Sequence, residues 1–282
     1  MSKTREFHRP ENWQKAHQLL KRSDVNSVVV HVSPRPTALD DIQADAFIDL
    51  EKLNLNQINQ SEDGVVHIGG SVTLQQLYQS DLIKAQVKGI LSEAAYYSAT
   101  LGLRHLASIT GALLDPKSPP DIALALMVLD ATVLVKKNES ETRQVPVADW
   151  MKDCANALLP GEIIWEVSFK DKSSVLGALV RINRTPRDHA MLAAAAALNI
   201  EDRNCASAGV ALAGANPTPV RLADVEASLL GKPLSPEFFN PAAQMAQDQA
   251  EPVADYLGSV EYRRAMAGVL VKRVLIQASK TI

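Results

Sequence analysis

The sequence predicts an α+β protein built in more than one unit, and three observations lead there. Runs of β-branched residues such as Ser27–Val32 and Thr132–Lys136 read as strands. Amphipathic or alanine-rich stretches such as Glu11–Leu20 and Ile90–Ala99 read as helices. In the last third of the chain, strand-like stretches come first and helix-like stretches follow, which is the segregated order of an α+β arrangement. A length of 282 residues accommodates a sizeable core and roughly two domains of about 100–200 residues each.

The elements follow in order. After Pro10, the residues Trp13, Ala16, Leu19 and Leu20 recur at helical spacing within Glu11–Leu20. Ser27–Val32 and Ala46–Leu50 are short strands, which makes a small α/β unit of the N-terminus. Val65–Ile68 reads as a strand entering a Gly69-Gly70 turn, and Thr73–Tyr78 as a helix capped by Ser71 or Thr73. Ile90–Ala99 and Ile122–Leu129 are helices, the second apolar enough to be buried. Thr132–Lys136 and Arg143–Val147 flank a charged hairpin turn, and Ile163–Phe169 alternates as a strand. Val175–Asn183 and Cys205–Gly214 read as strands, while Ala190–Leu198 suits either helix or strand. After the Asn216–Pro219 turn, Leu222–Leu230, Pro236–Ala250 and Gly258–Ala278 read as helices.

Composition excludes several functions. The chain is 46% hydrophobic and 22% charged, with a formal net charge of -3, so it lacks the basic footprint of a nucleic-acid binder. Two cysteines, Cys154 and Cys205, are too few for an iron–sulfur cluster or a four-cysteine zinc site. Unpaired thiols together with a polar, charged start, Met1–Arg9, point to a cytoplasmic protein. The longest apolar runs, Ile122–Ala131 and Ala190–Leu198, fall short of the roughly 20 residues of a membrane span. No Ser/His/Asp, Cys/His or metal-ligand spacing stands out, so no catalytic or metal residue is assigned. His31 and His67 lie within apolar strands and read as structural histidines, and Ala193–Ala197 reads as core.

The most informative stretch is Leu101–Asp121, read as a turn-rich loop of small residues, hydroxyls and an Arg104-His105 pair ahead of a buried helix. Small residues let backbone amides approach a phosphate or a flavin ring. Leu103–Ala112, Val66–Thr73, Ser118–Asp121, Leu129–Ala131, Leu159–Ile164, Ala208–Gly214, Pro219–Arg221 and Glu261–Ala267 occur in an order that resembles one family. That family comprises the FAD-binding medium subunits of molybdenum hydroxylases, among them carbon monoxide dehydrogenase medium subunits and xanthine dehydrogenase FAD domains.

The resemblance implies a two-lobed FAD-binding domain of the PCMH, or vanillyl-alcohol-oxidase-like, type, followed by a C-terminal α+β domain of the CO dehydrogenase flavoprotein type. The boundaries expected are 1–58 and 59–172 for the two lobes and 173–282 for the C-terminal domain. It also implies FAD as cofactor, a large molybdenum-cofactor subunit and a small 2Fe-2S subunit as partners, and electron transfer from the clusters through FAD to an acceptor. By position, Ser33, Thr37, Ser108, Ile109, Thr110, Gly111 and Asp121 would line diphosphate and ribose, and Leu159 would border the isoalloxazine. Arg35 would pair with a phosphate as a two-pronged donor. Asp121 reads equally as a helix N-cap; for Arg104-His105 the alternatives are contact with the FAD phosphates and a cover for the loop, and the structural reading is favoured.

The chain departs from the family in both phosphate loops. The family's first loop is of the Ala-Gly-Gly-Thr type, whereas this chain has Val30-His-Val-Ser-Pro-Arg-Pro-Thr37 there. Pro34 and Pro36 each lack an N–H donor. In the second loop, Thr110 stands for a glycine and Ala112 for an asparagine, and a β-carbon at Thr110 is strained if that position needs positive φ. Two readings therefore stand: a flavoprotein electron-transfer subunit, or a degenerate homologue that has lost FAD and serves as a structural or assembly subunit.

Overall fold

The computed structural model describes residues 6–35, 44–185 and 188–280, and their strands fall into three sheets. The first sheet is parallel, in the order β1-β3-β2, from β1 (Glu6–His8), β2 (Ser27–Val29) and β3 (Ala46–Ile48). Helix α1 (Trp13–Leu20) lies between β1 and β2 in the chain. The Asn12 side chain starts it by accepting from the Lys15 amide at 3.0 Å. Trp13 and Ala16 then pack with Val29, Ile48, Leu50, Leu55 and Ile163 into a local core.

The second sheet is antiparallel, in the order β4-β5-β8-β6-β7. Its strands are β4 (Ile58–Gln60), β5 (Val65–Gly69), β6 (Thr132–Lys136), β7 (Thr142–Pro146) and β8 (Ile163–Lys170). Between β5 and β6 run the helices α2 (Leu74–Gln79), α3 (Asp81–Ala85), α4 (Ile90–Ser98), α5 (Leu101–Arg104), α6 (Ile109–Leu114) and α7 (Asp121–Val128), and α8 (Val147–Trp150) follows β7. Of the two caps expected for α2, Thr73 is used: its hydroxyl accepts from the Gln76 amide at 3.2 Å while the Gln76 carboxamide accepts from the Thr73 amide at 2.9 Å. Every residue of α7 is buried, as its apolar run predicts.

The stretch expected to be a turn-rich loop holds α5 and α6 instead. Helices of four and six residues are too short to register as a period in the sequence.

The third sheet is antiparallel, in the order β12-β11-β10-β9, from β9 (Leu176–Ile182), β10 (Leu192–Glu201), β11 (Asn204–Ala213) and β12 (Val220–Arg221). Helices α9 (Ala223–Leu229), α10 (Pro236–Asp248) and α11 (Val260–Ser279) follow. Ala190–Leu198, open to two readings in the sequence, is strand β10. Alternation explains the alanines. Ala193, Ala195 and Ala197 belong to the core shared with the second sheet, and Ala194 and Ala196 to the core under the C-terminal helices. α7 contacts one face of this strand and α11 the other, so only small side chains fit on both.

Ion pairs tie the third sheet to the helices before it. Arg181 on β9 meets Asp121 on α7 at 2.7 Å, with both side chains almost fully buried. Arg221 on β12 pairs with Asp130 at 2.5 Å and with Glu226 at 2.6 Å, and Lys172 also pairs with Asp130.

Candidate functional site

A cavity of about 990 Å³ opens between the first sheet and the helices of the second. That is the size range of ligand pockets in general. Its walls come from Arg22–Val29, from the segment after β2, from the end of α6 with Leu114–Lys117, and from Ala155 and Leu158–Glu162.

The segment after β2 begins where the strand's ladder ends, with the Val30 amide donating to Ile48 O at 2.9 Å. Beyond it, the amides of His31, Val32 and Ser33 have no acceptor among the described residues. Ser33 and Arg35 are held by one carboxylate. The Ser33 hydroxyl donates to Asp115 Oδ2 at 2.7 Å and Arg35 Nε donates to the same oxygen at 2.9 Å. The Arg35 amide in turn donates to Ser33 Oγ at 3.1 Å. Burial alone would raise the Asp115 pKa, but the bonds from Arg35 and Ser33 outweigh it and hold this carboxyl below its ordinary value.

The second loop is packed against the first. The Ser108 amide donates to Val32 O at 3.0 Å, and the Ser108 hydroxyl caps α6 by accepting from the Gly111 amide at 3.1 Å. Gly111 sits so close to the first loop that a β-carbon there would lie 2.1 Å from Val32 O. The Ile109 amide goes to Val72 O and the Ala112 amide to Ser108 O. These amides therefore serve helix and inter-loop packing rather than an open phosphate cradle.

Leu159–Glu162 forms a tight turn with Pro160 second and Gly161 third, the latter at φ +81°. The Glu162 amide closes it by donating to Leu159 O at 3.0 Å, which is the type II pattern. Glu162 also accepts from the Leu159 amide and from Arg143 Nη2 at 2.8 and 2.7 Å. Burial pushes the Glu162 carboxyl up, and these bonds bring it below its usual range. The turn holds Leu159 largely exposed at the cavity wall.

Of the residues proposed from the sequence, the structure brings Ser33, Arg35, Gly111 and Leu159 together around this cavity. Thr37 lies outside the described residues. Ser108, Ile109 and Thr110 are not on its walls. Ile109 is fully buried in the core. Thr110 is helical, so no positive φ is needed there, and its hydroxyl donates to Gly70 O at 2.6 Å. The expected strain at Thr110 is absent.

Asp121 is neither on the cavity wall nor a cap. It is the first residue of α7, its side chain makes no capping bond, and it faces Arg181. Burial raises its pKa, and Arg181 opposes that. Arg104 is structural, as favoured: its guanidinium lies over the rings of Tyr78 and Tyr96 and donates to Tyr96 O and Ala99 O.

Sequence reasoning missed three residues of this site. Asp115 and Lys117 looked like turn residues, yet Asp115 is the joint between the loops. His67 is satisfied by Glu166 at 2.9 Å, as expected of a structural histidine. His31 is not: the residue lines the cavity, and its ring has no hydrogen-bond partner among the described residues, with Nε2 buried. Burial alone lowers its pKa to about 4. Among the described residues no group of three His, Cys, Asp or Glu could hold a metal, and no helix is long and apolar enough to cross a membrane.

Comparison with known proteins gives a consistent picture. Residues 2–169 match the FAD binding domain in molybdopterin dehydrogenase, and residues 178–278 match the CO dehydrogenase flavoprotein C-terminal domain. The glyceraldehyde dehydrogenase medium chain of Sulfolobus acidocaldarius is 24% identical over 234 residues, covering 82% of each chain. The 6-hydroxypseudooxynicotine dehydrogenase complex subunit alpha of Paenarthrobacter nicotinovorans is 28% identical, covering 82% of this chain and 79% of the relative. A chain of carbon monoxide dehydrogenase from Hydrogenophaga pseudoflava, solved in a form lacking the Mo-pyranopterin moiety of the molybdenum cofactor, superposes with a TM-score of 0.86 at 26% identity over 99% of both chains.

Proposed function

The chain belongs to the FAD-binding medium subunits of the molybdenum hydroxylases, and from that premise we propose that it binds FAD in the cavity between its first two sheets and relays electrons there. The observation that carries this reading is the meeting of the two loops on that one cavity. The residues present fit a dinucleotide. The cavity is large enough, Leu114, Leu158 and Leu159 give it apolar walls, and His31, Arg35 and Lys117 face it as donors. The amides of His31, Val32 and Ser33, which have no acceptor among the described residues, leave donors for the oxygens of a ligand.

Bound FAD would supply one- and two-electron chemistry, while the protein binds and orients it. In this reading the first loop holds the diphosphate, through Arg35 and the amides of His31–Ser33. Gly111 lets the two loops close on each other, and Leu159 borders the isoalloxazine. Units 1–58 and 59–172 form the two walls, and 173–282 braces the second through Arg181 and Arg221.

Electrons would arrive from the iron–sulfur clusters of a small partner subunit, which take them from a molybdenum cofactor in a large one, and leave to an acceptor. The absence of four cysteines here agrees with clusters housed in another chain. The two buried free thiols suit a reducing cytoplasm. The test is spectroscopic: the purified chain, supplied with FAD and desalted, is expected to retain the near-ultraviolet and blue bands of an oxidised flavin. A colourless protein would overturn the reading in favour of the structural or assembly role. Co-purification with a large and a small subunit is the second test.

A further inference from the structure

We propose that Arg143, on β7 and off the cavity wall, is a positioning residue for the flavin: through Glu162 it fixes the turn that presents Leu159 to the ring. The inference rests on the flavin-binding reading above and adds to that site a residue that does not itself line it.

Leu159 is 59% exposed, so burial against the protein does not hold it at the wall. Its place is set by the turn, and the turn is fastened by Glu162. The Leu159 amide donates to Glu162 Oε2 at 2.8 Å, in addition to the closing bond from the Glu162 amide to Leu159 O. The Glu162 side chain is only 6% exposed, and a carboxylate so placed stays charged only with partners. Arg143 supplies them in the two-pronged manner of a guanidinium. Its Nε donates to Glu162 Oε1 at 3.1 Å and its Nη2 to Oε2 at 2.7 Å.

The same guanidinium reaches the other end of the segment, where Nη2 donates to Ala157 O at 2.6 Å. Arg143 thus grips the chain on both sides of Leu158 and Leu159, and both leucines line the cavity. All three bonds of its side chain go to 157–162 and none to a strand of the sheet. Its own backbone is fixed opposite Val135 in the β6-β7 ladder. A rigid strand therefore anchors a planar fork, and the fork sets a turn that carries an exposed leucine.

The experiment is a double-mutant cycle. FAD is titrated into the full chain and into Arg143→Gln, Leu159→Ala and the double variant, with thermal unfolding confirming that each is folded. If Arg143 acts through Leu159, the two losses overlap instead of multiplying. Each single variant is expected to bind FAD about tenfold more weakly, and the double variant about tenfold too, not about a hundredfold. Arg143→Lys keeps the charge but not the fork, so it is expected to lose about as much as Arg143→Gln, and it carries the cycle if Arg143→Gln does not fold. Amide hydrogen exchange without flavin reads the turn directly: the Leu159 amide is expected to exchange about tenfold faster or more in Arg143→Gln.

An Arg143 variant that melts lower yet binds FAD as wild type does would show a role in stability alone and overturn the inference. Multiplying losses in the double variant, or a Leu159 amide that exchanges at the wild-type rate, would overturn it as well. Wild-type protein that binds no FAD overturns the proposed function and this inference with it, whereas wild-type binding with multiplying losses overturns this inference alone.

Discussion

Replacing Asp115 by Asn tests whether one carboxylate joins the two loops of the cleft. In the folded protein that carboxylate is about 10% exposed and Arg35 about 23%, so the pair is neither a surface ion pair nor a fully buried one. Exposed pairs contribute about 0.2–1 kcal/mol, and breaking a buried pair costs about 3–5 kcal/mol. The intermediate exposure, with the almost fully buried Ser33 hydroxyl as a second donor, puts Asp115→Asn at about 2–3 kcal/mol of lost stability. At about 2.1 cal/mol/K of unfolding entropy per residue, a chain of 282 residues would melt about 3–5 °C lower.

The pH dependence carries a sign. The folded-state pKa of Asp115 lies below its ordinary value, so its stabilisation is complete above the unfolded pKa and is lost as the pH falls through the folded one. The wild-type advantage over Asp115→Asn is therefore expected to be full at pH 7 and to shrink below pH ~4. Urea unfolding at pH 7 and in acid, with FAD titration alongside, checks both. A variant as stable as wild type at pH 7, or a difference that grows on acidification, would refute the latch.

Gly111→Ala places a β-carbon 2.1 Å from Val32 O and forces the loops apart. It is expected to cost about 1–3 kcal/mol in urea unfolding and to reduce flavin retention on a desalting column. Asp121→Asn leaves Arg181 buried without its carboxylate and is expected to cost about 3 kcal/mol. Because Asp121 is off the cavity wall, FAD affinity should hold in that variant, and a tenfold loss would restore the ribose-binding reading. The depressed pKa of His31, about 4, means that the unfolded chain takes up a proton first on acidification, so stability falls between pH ~6.5 and the folded value. His31→Gln is expected to flatten that part of the stability–pH curve in the absence of ligand. Arg221→Ala removes bonds to Asp130 and Glu226 and should lower the melting temperature without moving the flavin spectrum.

What was legible in the sequence was local. Strands β6 and β8 and helices α7 and α11 follow from alternation or long apolar periods that no neighbour needs to explain. The family order of small motifs pointed to the cleft and to Ser33, Arg35, Gly111 and Leu159 on its walls. The failures share a cause: each residue's role depends on a partner far along the chain. Thr110 looked like a glycine replaced, but its hydroxyl meets Gly70 O across the fold. Asp121 looked like a cap or a ribose ligand until β9 brought Arg181 against it. Asp115 looked like a turn residue because nothing near it in sequence shows that Ser33 and Arg35 arrive there.

The same dependence changes what the departures from the family motif mean. A glycine lost at position 110 matters little when that residue is the second of a capped helix and its added hydroxyl is taken up by Gly70 O. The glycine kept at 111 matters for a different reason than phosphate contact, since the atom it makes room for is Val32 O, a protein carbonyl. The second loop thus acts by positioning the first. In the proposed reading anion recognition falls to the first loop, where Asp115 holds the Ser33 hydroxyl and Arg35 Nε while the amides of His31, Val32 and Ser33 have no acceptor among the described residues.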